Sequence, residues 1–259
     1  MRRLRRPELS THEFEWLRKQ TAKIQAQPDS VQKAEAEKRW ISAKKNQAKN
    51  PLRHIQNKLQ AMCSGKERCM YCEDSQGSAI EHFWPRSLAP LRTFVWENLN
   101  YGCAHCNTAK KAQFPRDPDD SPQLIDPTAE DPLVHLLLIP RTGEFTPRCS
   151  GEAQQESVKG RKSIDTFALN RPILSAGRRD AWIVLQELLI AYDAARTAED
   201  APRAEVLRAT LRTSAFSSVL LYLLRQVAQG PAPPAATLLR PECLAAISRR
   251  PEIFSWSDE

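Results

Sequence analysis

Four cysteines in two Cys-x-x-Cys pairs, Cys69 with Cys72 and Cys103 with Cys106, are the residues of this 259-residue chain whose type and spacing point most directly to chemistry. Thiolates from two such knuckles, here 30 residues apart, can close a tetrahedral Zn²⁺ site with Zn–S distances of about 2.3 Å. Four sulfur ligands leave no open coordination position, so a zinc held this way is structural and stitches together the ends of the insert between the knuckles. His105 lies inside the second pair and is a conceivable substitute ligand, but with four cysteines present it is expected to face solvent or nucleic acid. The other three of the seven cysteines, Cys63, Cys149 and Cys243, read as ordinary reduced thiols, with Cys63 close enough to Cys69 to compete for the metal. An odd count without an export signal argues for metal rather than disulfides.

The knuckles enclose Ile80-Glu81-His82-Phe83-Trp84-Pro85 and Trp96-Glu97-Asn98-Leu99, and the second continues as Cys106-Asn107-Thr108-Ala109-Lys110-Lys111. A zinc ribbon needs none of these. Taken singly, each has a plain reading: His82 as a satisfied structural histidine, Asn98 as a turn residue, Asn107 as a helix cap and Lys110 as a solvated charge. In this order inside a four-cysteine frame, the array resembles the HNH endonucleases. The finer pattern adds Leu124-Ile-Asp-Pro127, Glu130-Asp-Pro132 and Leu169-Asn170-Arg171 with Leu174 and Arg178-Arg179. Together these are similar to the PtuB-type HNH proteins of Septu and retron anti-phage systems, over roughly residues 40–180. Generic HNH sequences place Asp before the histidine; Glu81 departs from that and agrees with the PtuB-type pattern.

The resemblance implies a ββα-metal core and a set of roles. His82 would be the general base that takes a proton from the water attacking a phosphodiester. Glu81 and Asn107 would hold one catalytic divalent ion, Mg²⁺ or Mn²⁺, and Asn98 would brace the loop presenting His82. Lys110 and Lys111 would contact phosphate. The substrate would be nucleic acid, DNA or possibly tRNA. The family also implies an ABC-type, PtuA-like ATPase partner, in some systems with a retron reverse transcriptase and its RNA and DNA. The chain has no Gly-x-x-x-x-Gly-Lys-[Ser/Thr] phosphate loop, so ATP dependence would come from that other chain. Two rival readings are a zinc-stabilised nucleic-acid-binding or adaptor module without activity, and a stand-alone restriction-type HNH nuclease.

The elements that must position these residues follow from periodicity. Leu9, Phe14, Leu17 and Ile24 give a loosely helical segment over 8–27. A second helix starts near Val31 and runs through Trp40 and Ile41, and after Pro51 the spacing Leu52, Ile55, Leu59, Met62 resumes. Seven prolines between 114 and 150 exclude a long helix there. Within that stretch Leu133–Ile139 is a strand-sized apolar run, and Arg141-Thr-Gly-Glu144 is a turn returning through Phe145 and Thr146; His135 reads as packed or at an edge. Amphipathic helices are expected over 163–170, 176–193 and 204–227, with a break at Gly230-Pro-Ala-Pro-Pro234 and a short helix from Pro241 to about Ile247. The resulting expectation is an α+β, mostly α-helical protein with three regions: a basic helical arm (1–60), a zinc-stitched HNH core with a Pro-rich connector and hairpin (61–150), and a C-terminal helical region (151–259). The connector and last helices would dock the ATPase.

The formal charge of +7 is uneven: residues 1–60 carry 15 Lys and Arg against 6 Asp and Glu, and the remainder is slightly acidic. Such a block suits either a polyphosphate backbone or a solvated helix face. No run of eighteen apolar residues and no secretory signal is present, so no membrane association and a cytoplasmic location are expected.

Overall fold

Helical periodicity at both ends of the chain and short strands between them set the architecture seen in the computed structural model. The structure describes residues 1–63, 65–74, 76–111, 113–229 and 238–257. The chain is α-rich with small sheets, and the described residues form nine α-helices and three two-stranded antiparallel sheets.

Helix α1 (Thr11–Gln25) begins at a capping box, in which Ser10 accepts from the Glu13 amide and the Glu13 carboxylate accepts in return from the Ser10 amide. Helix α2 (Asp29–Lys45) packs back on α1, and Asn50 accepts from the Leu52 amide to start α3 (Leu52–Met62). Leu52, Ile55 and Leu59 of α3 are fully buried together with Leu17, Ile24, Trp40, Phe94, Leu99 and Tyr101. The apolar stripe of the first sixty residues shares a core with the loop and strand around Leu99.

Strand β1 (Ala79–His82) pairs antiparallel with β2 (Leu99–Gly102), with Glu81 opposite Asn100 and His82 opposite Leu99, and α4 (Ala104–Lys110) follows directly. The expected hairpin is β3 (Leu136–Ile139) with β4 (Glu144–Pro147). The apolar run 133–139 enters it late, because Pro132–Val134 form a 3-10 turn capped by the Asp131 carboxylate on the Leu133 amide. His135, just before β3, is bonded to Ser157 at 2.8 Å and Glu130 at 2.9 Å. A two-residue ribbon, β5 (Cys149–Ser150) with β6 (Gln155–Glu156), leads into α5 (Val158–Thr166) and the long α6 (Pro172–Thr197).

Arg178 ties the hairpin to α6. It is fully buried, donates to the Gly143 carbonyl and the Leu169 carbonyl at 2.6 Å each, and lies 4.4 Å over the Phe145 ring. Gly143 is at φ +72°, and a Cβ there would sit 1.8 Å from the Ser175 carbonyl oxygen, so the turn requires glycine.

The helix expected over 204–227 is two helices, α7 (Ala201–Thr213) and α8 (Ser217–Gln229). Its apolar periodicity continues through the break, which the period alone cannot reveal. The interruption is made by polar residues: Ser214 bonds back to the Thr210 carbonyl, Phe216 takes φ +56°, and Ser217 and Ser218 bind the buried carboxylate of Glu73. The Gly230–Pro234 break lies outside the described residues, and α9 (Pro241–Arg249) follows it. A second core runs from the cysteine knuckles through Leu124, Leu138 and Phe167 to α6, α8 and α9. Among the described residues, no helix is long and apolar enough to cross a membrane.

Candidate functional site

The four paired cysteines converge. Cys69 and Cys72 lie on the turn before β1, Cys103 is the N-cap of α4, and Cys106 is in its first turn. All four are buried, and their sulfurs lie within 4.8 Å of one another. The Cys72 and Cys103 sulfurs are 3.8 Å apart, the edge of a tetrahedron about 2.3 Å in radius, which is the zinc–thiolate distance. The Cys103 sulfur also accepts from the Cys106 amide at 3.4 Å, as a thiolate does. The cluster can hold a metal such as zinc. Arg171 lies in hydrogen-bonding reach of the Cys72 and Cys106 sulfurs. Burial alone would lower its guanidinium pKa, and those sulfurs more than offset that, leaving it above its usual value. A dication on four thiolates would carry two net negative charges, which this guanidinium would partly balance.

Cys63 does not join the cluster. Its thiol donates to the Leu59 carbonyl at 3.2 Å, and burial pushes its pKa up to about 12, so it stays protonated. Cys243 is likewise buried and pushed up to about 12, and Cys149 is exposed. His105 is exposed on α4.

Successive side chains of a strand point to opposite faces, so Glu81 and His82 enter different surroundings. His82 packs edge-on to Trp40 with ring centroids 4.4 Å apart, and its Nε2 lies 3.0 Å from the Thr93 carbonyl oxygen. A carbonyl only accepts, so Nε2 carries the proton and Nδ1 the lone pair of a neutral imidazole. Burial, then the positive charge of Arg86, pushes the His82 pKa down to about 3. Asn98 braces the loop that follows: its Oδ1 accepts from the Trp84 amide at 2.7 Å, and its Nδ2 donates to the carbonyls of Trp84 and Arg92 at 3.1 and 2.9 Å.

Glu81 is buried on the opposite side. One carboxylate oxygen accepts from the Tyr71 hydroxyl at 2.5 Å and the other from the Lys110 ammonium at 2.6 Å. Lys110 also donates to the His82 carbonyl at 2.8 Å, and only 1% of its side chain is exposed. The network extends through Asn100, which donates to Tyr71 and accepts from Arg6; Arg6 also donates to the Leu99 and Glu97 carbonyls. These contacts correct two expectations. Lys110 is not a surface phosphate contact, because α4 turns it inward to neutralise a buried carboxylate. Glu81 is not a free metal ligand in this arrangement, because both of its oxygens are taken. Asn107 and Lys111 are exposed on and just after α4, so they remain accessible to a ligand.

The sequence reading assigned no role at the site to Tyr71, Asn100, Arg6, Thr93, Trp40 or Arg171, though it placed Trp40 in a helix and Arg171 in the family pattern. Two of them had a signal: Tyr71 sits between the first two cysteines, and Asn100 is a polar residue within a strand, where a buried amide needs partners.

The low His82 pKa has a measurable consequence. The unfolded chain's histidine titrates near 6.5, so between about pH 6.5 and 3 the unfolded state takes up a proton that the folded state refuses. The associated stability is fully present above about pH 6.5 and is lost as pH falls toward 3, by an amount on the order of 4 kcal/mol. His82→Gln, whose amide can still donate to the Thr93 carbonyl, is expected to flatten this acid limb in urea titrations run from pH 7 to 4. An unaltered slope would show that His82 is already protonatable in the fold.

No family model matches this chain, and no curated protein matches it.

Proposed function

We propose that this chain is an endonuclease of the HNH class that hydrolyses phosphodiester bonds in nucleic acid, with zinc in its four-thiol centre. The observation that supports it is the order of parts: β1 antiparallel to β2, α4 directly after, a thiol pair at each end, and His82 at the last position of β1 with Asn98 bracing the loop behind it. The zinc fits its cage by sulfur spacing and burial, and its role is to fix α4 against the turn before β1.

His82 is held neutral with its Nε2 proton given to Thr93. That fixes the tautomer, so the proton of an attacking water would be taken at Nδ1. Lys111 and Asn107, exposed at the end of α4, are the groups placed to contact a phosphate. A catalytic Mg²⁺ or Mn²⁺ shared by Glu81 and Asn107 does not fit the geometry as it stands, since Lys110 and Tyr71 occupy the Glu81 carboxylate. No step of the reaction is therefore assigned to that ion, and its binding would require Lys110 to release Glu81. Within this reading the protein is the effector of an anti-phage complex, licensed by an ABC-type ATPase partner.

Supplied with that partner and Mg²⁺ or Mn²⁺, the parent protein is expected to cleave DNA or RNA, and His82→Ala to lower the rate by about 10²-fold or more while its zinc content and circular dichroism stay unchanged. Equal cleavage by the variant would remove His82 from the chemistry. A second reading is favoured by the burial of His82 and the Glu81–Lys110 pair: a zinc-stabilised nucleic-acid-binding module in which the inner polar set is structural. Binding of nucleic acid without cleavage by the parent would select it.

A further inference from the structure

A cavity of about 720 Å³ opens between the N-terminal residues, α3, α7 and α8, and none of its lining comes from β1, β2 or α4. Its charge is one-sided. Arg2, Arg3 and Arg5 enter from the N-terminal segment, Lys58 from α3, Arg208 and Arg212 from α7, and Arg225 from α8. Against these seven cations stand two carboxylates of the lining, Asp131 and Glu205, paired with Arg225 and Arg208, and Glu13 just outside it, 3.6 Å from the Lys58 ammonium.

The segment that carries these arginines is fastened at several points. The Leu4 amide donates to the Pro127 carbonyl at 2.7 Å, Leu4 is buried, and Arg6 is bonded to β2. The backbone that carries Arg2, Arg3 and Arg5 is therefore fixed beside the cavity, with the Arg3 and Arg5 side chains exposed at its wall. The remaining lining is mixed: Met62, Leu211, Leu220 and Trp256 supply apolar surface, and Thr213 and Ser217 supply hydroxyls.

A volume of this size with mixed polar and apolar walls suits a small-molecule ligand. The excess of four positive charges, seven cations against Asp131, Glu205 and Glu13, decides which kind. A single phosphate carries about −2 and would leave half of that charge unbalanced, whereas two or three linked phosphates match it. A purely inorganic polyphosphate would leave the apolar walls without a partner. The cations also converge from four segments on one volume, instead of lining up at the repeat of a phosphodiester backbone.

We propose that this cavity binds a nucleotide with two or three linked phosphates, the phosphates on the arginines and the base and sugar on the apolar lining. The site is separate from the β1–β2–α4 unit and does not depend on the nuclease reading.

Calorimetry on the full-length protein tests this with four probes: ATP, GTP, inorganic triphosphate and a short single-stranded oligonucleotide. ATP or GTP is expected to bind more tightly than triphosphate. Arg3→Glu and Arg5→Glu, both at exposed positions, are each expected to weaken that binding at least tenfold without moving the thermal midpoint. The proposal is overturned if neither nucleotide binds, if both variants bind as the parent does, or if triphosphate alone binds as tightly. Binding of the oligonucleotide without either nucleotide would also overturn it, and would make the cavity part of a strand-binding surface. Every readout is binding, so loss of cleavage activity elsewhere in the molecule leaves the result unaffected.

Discussion

Cys69→Ala is expected to remove the bound zinc and lower the thermal midpoint together, by more than about 10 °C. The size follows from what the four-thiol centre joins. Cys69 and Cys72 precede β1, and Cys103 and Cys106 open α4, so the centre closes a loop of over thirty residues that contains both strands. The sheet inside that loop is small. Each strand has four residues, and an isolated two-stranded sheet is marginal in water. Binding free energy at a structural zinc site is folding free energy, on the order of 10 kcal/mol or more in small zinc domains. Even half of that moves the midpoint of a chain this long by roughly 10–20 °C. Elemental analysis and a thermal melt of the same preparation check both parts. A chelator applied to the parent should reproduce the effect, and Cys63→Ala should not, since that thiol points at the Leu59 carbonyl. Undiminished zinc in Cys69→Ala would exclude the four-sulfur centre.

The legible part of this protein was local. Cys-x-x-Cys spacing announces a site because a knuckle brings its own two ligands together, and only the pairing of two knuckles has to be inferred. Helical stripes such as Leu52, Ile55, Leu59 and Met62 were readable for the same reason, as a period of 3.6 is written within one segment. The α7–α8 break was not. It depends on Ser217 and Ser218 meeting Glu73, a residue more than 140 positions away, and no local pattern encodes such a partner.

The inner polar set shows the same limit in a sharper form. The family resemblance named Glu81, His82, Asn98, Asn107 and Lys110 as a group, and the fold divides them. Strand alternation sends Glu81 and His82 to opposite faces, and a short helix points Lys110 inward while leaving Asn107 and Lys111 outside. Residue type shows what a side chain can do, but whether Lys110 meets a phosphate or a carboxylate is set by the turn of α4, whose first residues carry two of the four clustered cysteines. The N-terminal basicity divides similarly: Arg6 is consumed in holding β2, whereas Arg2, Arg3 and Arg5 line a cavity.

The Glu81–Lys110 pair yields the second large effect. Lys110→Met is expected to destabilise the protein by about 3–5 kcal/mol in urea unfolding, because it leaves a carboxylate buried without its countercharge. The loss should exceed that of an exposed ion pair such as Arg18 with Glu15, which solvent screens. The double variant Glu81→Gln with Lys110→Met is expected to recover most of the stability, since the amide that replaces the carboxylate is neutral and its oxygen can still accept from the Tyr71 hydroxyl. A single substitution costing under about 1 kcal/mol would show that water reaches Glu81. The same variant examines how the carboxylate relates to a divalent ion. Lys110 occupies one Glu81 oxygen, so its removal frees a ligand position. If Glu81 can hold Mg²⁺ or Mn²⁺, adding the ion should raise the midpoint of Lys110→Met more than that of the parent, and Glu81→Gln should abolish the difference. Equal shifts in all three would mean that Glu81 is a structural anion whose partner is the lysine alone.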